Sequence, residues 1–404
     1  MNQTTELRSC NACGHNNLLL ALDLGEQPLA NSYLDTADQE EPTYPLRALV
    51  CEKCQHVQLS HAIEPDLMFK NYLYVSGTTQ TLQENMRWFA GFVQEFTGKY
   101  VGSVLDIGCN DGTQLTQFKD LGWTTYGIDP AENIVPLAKE KGHDVVCAYF
   151  DARAVPGLAR IQPSVIVAQN VVAHNYNALQ FLKNVRAIMP DDGYFFMQIS
   201  QVDMIRRNEF DTCYHEHVNF FNVHSLIKIA DRAGLFIQDI VKQPIHGNSY
   251  IVVMHKSQGR PYRVSNLLNL DRNDGLHDLR RYELWAQNAH RLMEELRTAV
   301  TQAREQGYKV VGYGAAAKGM TVLNFAKLEL DFIIDDNPLK QGKFAPGMRT
   351  PIVSIDELQK HAGVPMVFIP LAWNFFAEIK QRIQQVRGEP DRFLTYFPVV
   401  DYVA

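Results

Sequence analysis

Hydrophobic and polar positions along the chain follow two periods, and their order predicts parallel sheets covered by helices. Between about residues 85 and 258, short apolar runs of strand length alternate with amphipathic stretches of helical length, and the alternation returns over 308–404. Residues 263–305 have the pattern of one long helix with a polar face, beginning near Ser265. Alternating strands and helices form parallel sheets with helices on both faces, so the pattern predicts an α/β fold with two Rossmann-like units.

The remaining N-terminal stretch shows little periodicity over its first 60 residues. A chain of 404 residues has room for two to three domains of about 100–200 residues each. We therefore predict an N-terminal domain over 1–84, a central domain over 85–258 and a C-terminal domain over 259–404. The stretch 257–263, SQGRPYR, is typical of a linker.

Composition narrows the possible partners. Hydrophobic residues make up 46% of the chain and charged residues 21%, which is ordinary for globular proteins, and the net charge is −7. Nothing indicates the clustered basic face of a nucleic-acid-binding protein. The N-terminus lacks the apolar core of a signal peptide, and no apolar run approaches about 18 residues. We expect a cytoplasmic protein without nucleic-acid or membrane partners; a monomer is compatible with the sequence, which does not define the oligomeric state.

Four of the seven cysteines form two Cys-x-x-Cys pairs, with 37 residues between the pairs. Four thiolates from two such turns match tetrahedral structural zinc, and a closed site of this kind has no open position for catalysis. Two redox pairs, chance and a nucleic-acid-binding zinc ribbon are the alternatives, and the segment has few Lys and Arg for the last. The predicted zinc ligands are Cys10, Cys13, Cys51 and Cys54.

A glycine-containing turn follows the first strand of the central domain. Residues 103–112 have the sequence SVLDIGCNDG, and a second strand ends in Asp129, 23 residues after Asp106. A dinucleotide site needs the spacing G-x-G-x-x-G, but Asn110 replaces its second glycine. An acidic residue at the end of the second strand suits an adenosine ribose, so the turn predicts S-adenosylmethionine. A glycine-rich turn without a ligand is the alternative.

The next strand ends at the same edge of the sheet, where open α/β sheets bind ligands. It closes with Gln169-Asn170, and His174 follows shortly after. We interpret His174 either as a contact to the methyl donor or substrate or as an ordinary surface histidine. The residues predicted to bind the methyl donor are Asp106, Gly108, Asn110, Asp111, Gly112, Asp129, Gln169 and Asn170.

A dense group of polar side chains follows the strand at 193–200. The sequence YHEHVNFF places Tyr214, His215, Glu216 and His217 side by side, just before two phenylalanines. Histidine is suited to general-base chemistry near neutral pH, and a tyrosine can donate to a developing oxyanion. Methyl transfer to a carbon beside a ketone needs both, because an enolate must form first. A second metal site and a structural hydrogen-bond network are the alternatives.

A second glycine-rich turn, YKVVGYGAAAKG, follows a strand in the C-terminal domain. Ala317 stands at the third glycine position of a dinucleotide fingerprint, and the next strand ends at Asp335. A helix N-terminus beside Lys318 favours phosphate, which predicts a wall for the diphosphate of a nucleotide sugar. A complete nicotinamide site and a structural duplicate without a ligand are the alternatives.

The order of these motifs resembles the three-domain C-methyltransferases of deoxysugar biosynthesis, which methylate C-3 of a dTDP-linked 4-keto-6-deoxyhexose. The resemblance rests on the cysteine pairs, YLYVSGT at 72–78, LDIGCNDG, YHEHVNFF and GYGAAAKG, and it spans almost the whole chain. It implies a zinc-binding N-terminal domain, a class I methyltransferase domain with a Rossmann-like fold, and a second Rossmann-like α/β domain that binds the substrate.

The resemblance also implies roles for single residues. The base is a histidine of the YHEH motif, by position His217, assisted by Tyr214 and Glu216; His215 stays a possible base. The expected partner is a nucleotide sugar, with dTDP as the expected nucleotide. A noncatalytic zinc-containing binding protein and a nicotinamide-dependent oxidoreductase are the other functional classes. The residues predicted to bind the substrate are Tyr74, Ser76, His174, Asn219, Tyr313 and Lys318.

Overall fold

The computed structural model describes residues 3–70, 72, 75–78, 80–200, 203–245, 248–259, 262–388 and 391–403. Within these residues the strands form four β-sheets, of two, four, six and seven strands.

The N-terminal part is a small β-structure. The strand β3 alternates between buried and half-buried positions, so one of its faces packs on the core. The alternation is hidden in the sequence because two outward positions are Pro45 and Leu49. The elements are β1 (Thr4–Glu6), β2 (Leu18–Gln27), β3 (Tyr44–Cys51), β4 (Val57–Leu59), β5 (His61–Ile63) and α1 (Asp66–Phe69).

The central part is built around the seven-stranded sheet. Its elements are α2 (Gln80–Thr97), β6 (Ser103–Ile107), α3 (Thr113–Asp120), β7 (Thr124–Asp129), α4 (Val135–Glu140), β8 (Asp144–Cys147), α5 (Val155–Leu158), β9 (Val165–Gln169), α6 (Ala178–Ile188), β10 (Tyr194–Ile199), β11 (Asn219–Phe220), α7 (Val223–Ala233), β12 (Phe236–Gln243) and β13 (Ser249–His255). The strand order is β12-β13-β10-β9-β6-β7-β8. All neighbouring pairs from β10 to β8 are parallel, whereas β13 is antiparallel to both of its neighbours. The predicted Rossmann-like sheet is confirmed.

The strand β11 leaves the central sheet and joins the N-terminal one. The four-stranded sheet has the order β11-β4-β3-β2, and in it Asn219 lies opposite Gln58 and Phe220 opposite Val57. The polar YHEH motif comes just before β11, so its position depends on the N-terminal part of the chain.

The C-terminal part contains the six-stranded sheet, in the order β16-β15-β14-β17-β18-β19. Only β19 is antiparallel to its neighbour, as expected for a second Rossmann-like unit. Its elements are α8 (Tyr262–Asn273), α9 (Leu279–Glu305), β14 (Lys309–Tyr313), α10 (Ala317–Ala326), β15 (Phe332–Ile334), β16 (Ile352–Val353), β17 (Met366–Pro370), α11 (Phe376–Arg387), β18 (Arg392–Thr395) and β19 (Asp401–Val403).

The predicted single helix over 263–305 is wrong. Two helices, α8 and α9, occupy this stretch and are separated at Gly275, whose φ of 76° does not continue a helix. The second helix starts afresh because Asp278 caps it by accepting a hydrogen bond from the Arg280 N–H. The first begins at Tyr262, before the expected Ser265.

The helix α9 connects the outer parts of the molecule. Its buried side chains, including Trp285 and Leu292, share one hydrophobic core with strands of the N-terminal sheet and of the six-stranded sheet. The Trp285 indole N–H also donates to the Glu209 carbonyl at 2.8 Å, in the loop that leads to the YHEH motif. None of the helices in the described part of the chain combines the length and apolarity needed to cross a membrane.

Candidate active site

The four predicted zinc ligands converge in the N-terminal part. Their ligand atoms all lie within 4.8 Å of one another, and the sulfur–sulfur distances are 3.6 Å for Cys10–Cys54 and 3.5 Å for Cys13–Cys51. A disulfide bond would measure about 2.05 Å. A zinc–thiolate tetrahedron with bonds of about 2.3 Å has edges of about 3.8 Å. The donor set therefore fits one closed structural zinc site and not two redox pairs.

Both cysteine pairs use the same backbone turn. The Gly14 N–H donates to the Cys10 carbonyl at 2.8 Å, and the Gln55 N–H donates to the Cys51 carbonyl at 2.9 Å. Gly14 and Gln55 have positive φ values of 77° and 52°. The two knuckles thus present their sulfur atoms from matching turns, although one of them lacks the glycine that such a conformation favours.

A cavity of about 710 Å³ opens where the parallel strands of the central sheet end. Its volume is typical of small-molecule sites, which span about 300–1,000 Å³. The N-terminal part contributes residues 62–66 to the lining. The predicted site residues that line this cavity are Ser76, Asp106, Gly108, Asn110, Asp129, Gln169, Asn170 and His174.

The turn after β6 is held against the end of β7. The Asp129 carboxylate accepts hydrogen bonds from the backbone N–H groups of Asn110 and Ala131, both at 2.9 Å. Gly108 has a φ of 76°, and a Cβ atom there would lie 2.4 Å from the Val171 side chain. This close approach requires glycine, so the backbone of the turn can border the cavity.

The two carboxyl groups of this region are strongly desolvated. Burial, with the charge of Asp129 nearby, raises the pKa of Asp106 to about 8. Burial also raises the pKa of Asp129, although its two backbone hydrogen bonds oppose the shift. A positively charged ligand in the cavity would favour the ionised form of both groups.

Two predicted cofactor residues lie outside the cavity lining. Asp111 forms an ion pair with Lys141 at 2.8 Å and accepts a hydrogen bond from the Thr113 hydroxyl at 2.7 Å. Gly112 precedes α3 with a φ of 75° and packs against Ala138. Both residues support the turn from outside the cavity lining, so they do not contact a ligand bound in the cavity.

The YHEH motif fixes the tautomer of His217. The imidazole Nδ1 lies 2.8 Å from the Thr212 carbonyl oxygen, which can only accept, so Nδ1 must carry the proton. In the neutral ring, Nε2 therefore has the lone pair, and it accepts the Tyr214 hydroxyl at 2.9 Å. This arrangement leaves Nε2 as the basic nitrogen of the pair.

His174 connects this pair with the cavity. Its ring lies 4.9 Å from the ring of His217, centroid to centroid, and it lines the cavity itself. Burial lowers the pKa of His174 to about 4, so the ring is neutral at neutral pH. Its Nε2 atom is buried without a hydrogen-bond partner among the described residues. The structure therefore favours a role in the site over that of a surface histidine.

Glu216 faces residues that precede the central sheet. It accepts hydrogen bonds from Asn31 at 2.5 Å and from the Tyr72 hydroxyl at 3.3 Å. Burial raises the pKa of Glu216 to about 7 despite these two donors. No motif in the sequence indicates Asn31, whereas Tyr72 belongs to the YLYVSGT motif and could have been selected from it.

His215, the fourth member of the group, and Asn219, which follows it in the chain, are both held by contacts within the protein. The His215 ring lies edge-on to the Tyr44 ring and contacts the Tyr44 carbonyl through Nε2 at 3.3 Å. Asn219 is fully buried, and its side chain is bound by protein groups on both sides. Neither His215 nor His217 lines the cavity, but the His217 ring contacts His174, which does, so His217 is the histidine of the YHEH motif next to the cavity wall. Tyr74, predicted on the substrate side, lies outside the described residues.

The C-terminal turn lies apart from this cavity, and neither Tyr313 nor Lys318 lines it. The Tyr313 hydroxyl contacts the Asp336 carboxylate at 3.2 Å. The Lys318 ammonium lies 5.4 Å from the centre of the Trp373 ring, whose N–H donates to the buried Asp211 at 2.7 Å. The turn is thus tied to the loop that carries the YHEH motif.

The carboxylate of Asp335, at the end of the strand after this second turn, is bound by protein groups. The Asp335 carboxylate accepts the Ala315 N–H at 2.7 Å, and Lys340 lies 3.6 Å away. The Ala315 carbonyl accepts hydrogen bonds from Tyr33 at 2.6 Å and Lys340 at 2.7 Å. Asp129 in the first turn accepts two backbone N–H groups in the same way, so the feature that distinguishes the second turn is the Lys340 ammonium beside its acid.

The Rossmann-like sheet and the cavity at its strand ends define a class of protein, the S-adenosylmethionine-dependent methyltransferases. This one also has a four-cysteine zinc site. Three family models match the chain: a zinc-binding domain over 10–69, a methyltransferase domain over 82–239 and a C-methyltransferase C-terminal domain over 244–398. The C-methyltransferase NovU of Streptomyces niveus is 32% identical over 406 residues, which cover 96% of this chain and 95% of that protein. The chain belongs to this C-methyltransferase family, and the resemblance found in its sequence is confirmed.

Solved structures match a smaller part of the chain. Magnesium protoporphyrin IX methyltransferase from Synechocystis PCC 6803, with bound SAM, is 15% identical and covers 43% of this chain and 79% of that one, with a TM-score of 0.34. The 1,6-didemethyltoxoflavin-N1-methyltransferase of Burkholderia thailandensis is 16% identical and covers 44% of this chain and 80% of that one, with a TM-score of 0.34.

Proposed function

We propose that this C-methyltransferase acts on a nucleotide-linked keto deoxysugar and methylates C-3 of a dTDP-4-keto-6-deoxyhexose. The observation that carries the proposal is the His217–Tyr214 pair, in which the basic Nε2 is defined by the hydrogen bond on Nδ1. Methylation at oxygen or nitrogen can start from a neutral lone pair, whereas carbon beside a ketone must first lose a proton. A fixed base next to a phenol that can donate a hydrogen bond suits that requirement.

The methyl donor occupies the cavity at the strand ends. Asp129 binds the ribose hydroxyls, and the turn from Gly108 to Asn110 borders the rest of the nucleoside. Asp106, Gln169 and Asn170 complete this wall, in keeping with their positions around the cavity. The zinc site has four protein ligands and takes no part in the chemistry.

The sugar enters beside His174, on the side of the Ser76 segment. The Tyr214 phenol releases His217 and donates its hydrogen bond to the ketone oxygen. His217 Nε2 then takes the proton from C-3, and the resulting enolate carbon attacks the sulfonium methyl group. The carbon–sulfur bond breaks, its electrons stay on sulfur, and S-adenosylhomocysteine is the second product. Glu216, held by Asn31 and Tyr72, supports the loop that carries both groups.

The nucleotide lies between the N-terminal and C-terminal parts. The N-terminus of α10 has no side-chain cap, and Lys318 is in its first turn. Such an end attracts phosphate, which supports diphosphate binding by Lys318 with Tyr313 nearby. We also propose the domain limits 1–84, 85–258 and 259–404.

The experiment that tests this function follows the sugar proton. In deuterated water, the enzyme should exchange the C-3 proton of dTDP-4-keto-6-deoxyglucose, and His217→Asn should abolish this exchange. Loss of a general base lowers turnover by about 10²–10⁴-fold, while both ligands should still bind. His215→Asn is the matched comparison, because the His215 ring contacts Tyr44 and should be dispensable for exchange. Full exchange in His217→Asn would remove the proposed base.

A further inference from the structure

Asn219 lies two residues after His217 and has hydrogen bonds on both sides of its carboxamide. Its Oδ1 atom accepts from Asn11 Nδ2 at 2.9 Å and from His56 Nε2 at 3.2 Å. Its Nδ2 atom donates to the Asn175 carbonyl at 2.7 Å. Only one orientation of the carboxamide satisfies all three contacts. Reversing it would place the Asn219 amide nitrogen against the donors Asn11 and His56, and its oxygen against the Asn175 carbonyl.

Both donors to Asn219 belong to the zinc knuckles. Asn11 is between Cys10 and Cys13, and His56 follows Cys54 by two residues. The Asn11 backbone N–H also donates to Gln58 at 2.8 Å, and Gln58 lies opposite Asn219 in the sheet. The place of Oδ1 is therefore set by the metal-binding turns.

The opposite side of Asn219 meets the cavity wall. Its acceptor, Asn175, directly follows His174, and the Val218 N–H donates to the Ala173 carbonyl at 2.8 Å. These two hydrogen bonds join the segment of His174 to the segment that follows His217. The rings of the two histidines lie 4.9 Å apart at this junction.

We propose that Asn219 is a positioning residue through which the zinc centre fixes the His174–His217 pair. Zinc holds the two knuckles, the knuckles hold the carboxamide, and the carboxamide fixes the distance between the segments that carry the histidines. The carboxamide itself does not touch the cavity, so Asn219 acts through these neighbours and not on the substrate. The kinetic consequence rests on the proposed function, whereas the structural coupling does not.

Steady-state kinetics test the consequence for the reaction. We expect Asn219→Ala to keep its zinc and its KM values while kcat falls by roughly 10–100-fold, since small displacements of reacting groups have effects of this size. Asn219→Asp should behave similarly, because it keeps an acceptor for the knuckles but places an oxygen against the Asn175 carbonyl. Asn17→Ala, an exposed change on the same knuckle segment, is the control. An unchanged kcat in zinc-loaded Asn219→Ala would overturn the proposal.

A second measurement does not depend on turnover. With ¹⁵N-labelled histidine, the wild type and Asn17→Ala should give the same nitrogen shifts for the His174 and His217 rings. In zinc-loaded Asn219→Ala the nitrogen shifts of both rings should change, because the distance between the two histidines is no longer fixed; unchanged shifts would overturn the coupling. Asn11→Ala removes one of the two donors and gives the same comparison if Asn219→Ala does not fold. A wild type inactive on the keto sugar would refute the proposed function, and this comparison would still decide the coupling.

Discussion

At the scale of single residues, burial sets the protonation of the groups around the cavity. It lowers the pKa of His174 to about 4 and raises the pKa of Glu216 to about 7. At neutral pH the first is neutral and the second is close to its midpoint. His217 keeps its proton on Nδ1 through the Thr212 carbonyl, so the basic nitrogen is available toward Tyr214.

A substitution of Asp129 tests directly whether this residue binds the methyl donor. We expect Asp129→Ala to weaken binding of S-adenosylmethionine by tenfold or more, because hydrogen bonds to a charged group contribute about 1.5–3 kcal/mol. Titration calorimetry measures the dissociation constant. Asp111→Ala is the comparison, since Asp111 pairs with Lys141 behind the turn and should have the smaller effect. An unchanged constant in Asp129→Ala would show that this carboxylate does not bind the ribose.

The buried His215 should make the free energy of unfolding depend on pH. Burial lowers its pKa to about 4, below the value of about 6.5 in an unfolded chain. As the pH falls, His215 is therefore protonated in the unfolded chain before it is protonated in the folded protein. The free energy of unfolding decreases as the pH falls from about 6.5 towards about 4. From pH 7 to pH 5, His215→Gln should lose about 1–2 kcal/mol less free energy of unfolding than the wild type. Denaturant unfolding at both pH values measures the difference, and equal losses would contradict it.

At the scale of secondary-structure elements, local patterns defined the strands and turns but not their long-range partners. The sequence predicted the strand before Gly108 and the acid at the end of the next one, since both depend on adjacent residues. It did not show that β11 joins β4, because that pairing joins residues more than 150 positions apart. For the same reason it assigned Asn219 to the substrate, although zinc-knuckle residues surround this side chain.

The long polar stretch shows a different failure. Helical periodicity continues across both α8 and α9, so the pattern predicted one helix. The interruption comes from Gly275 and from the cap at Asp278, two local signals that outweigh the periodicity. Breaks of this kind can be found in a sequence by searching for a glycine followed shortly by an N-cap residue.

The zinc-binding elements should fold only with their metal. Cys51→Ser is expected to lose zinc and to destabilise the sheet that contains β3, β4 and β11, because Cys51 ends β3 and is fully buried. Elemental analysis and thermal unfolding measure both effects. Cys147→Ser is the control, since Cys147 is exposed and lies outside the four-cysteine cluster. Retention of one zinc per chain in Cys51→Ser would contradict the ligand assignment.

At the scale of the whole molecule, the three parts are packed around the loop that carries the YHEH motif. Asn31 binds Glu216 from the N-terminal side, and Trp373 binds Asp211 from the C-terminal side. Tyr33 bridges the two sides by donating to the Ala315 carbonyl. Sequence motifs predicted the zinc site, the cofactor turn and the YHEH group one by one. The contacts between them depend on tertiary packing, which local sequence patterns do not show.

The product of a single reaction shows which atom of the sugar receives the methyl group. The enzyme is incubated with dTDP-4-keto-6-deoxyglucose and S-adenosylmethionine that carries a trideuterated methyl group, and the sugar is analysed by mass spectrometry and NMR. The proposed function predicts one labelled methyl group bonded to C-3, formed by the wild type and not by His217→Asn. A labelled methyl group on oxygen, or no labelled sugar from a zinc-loaded wild type that binds the methyl donor, would contradict it.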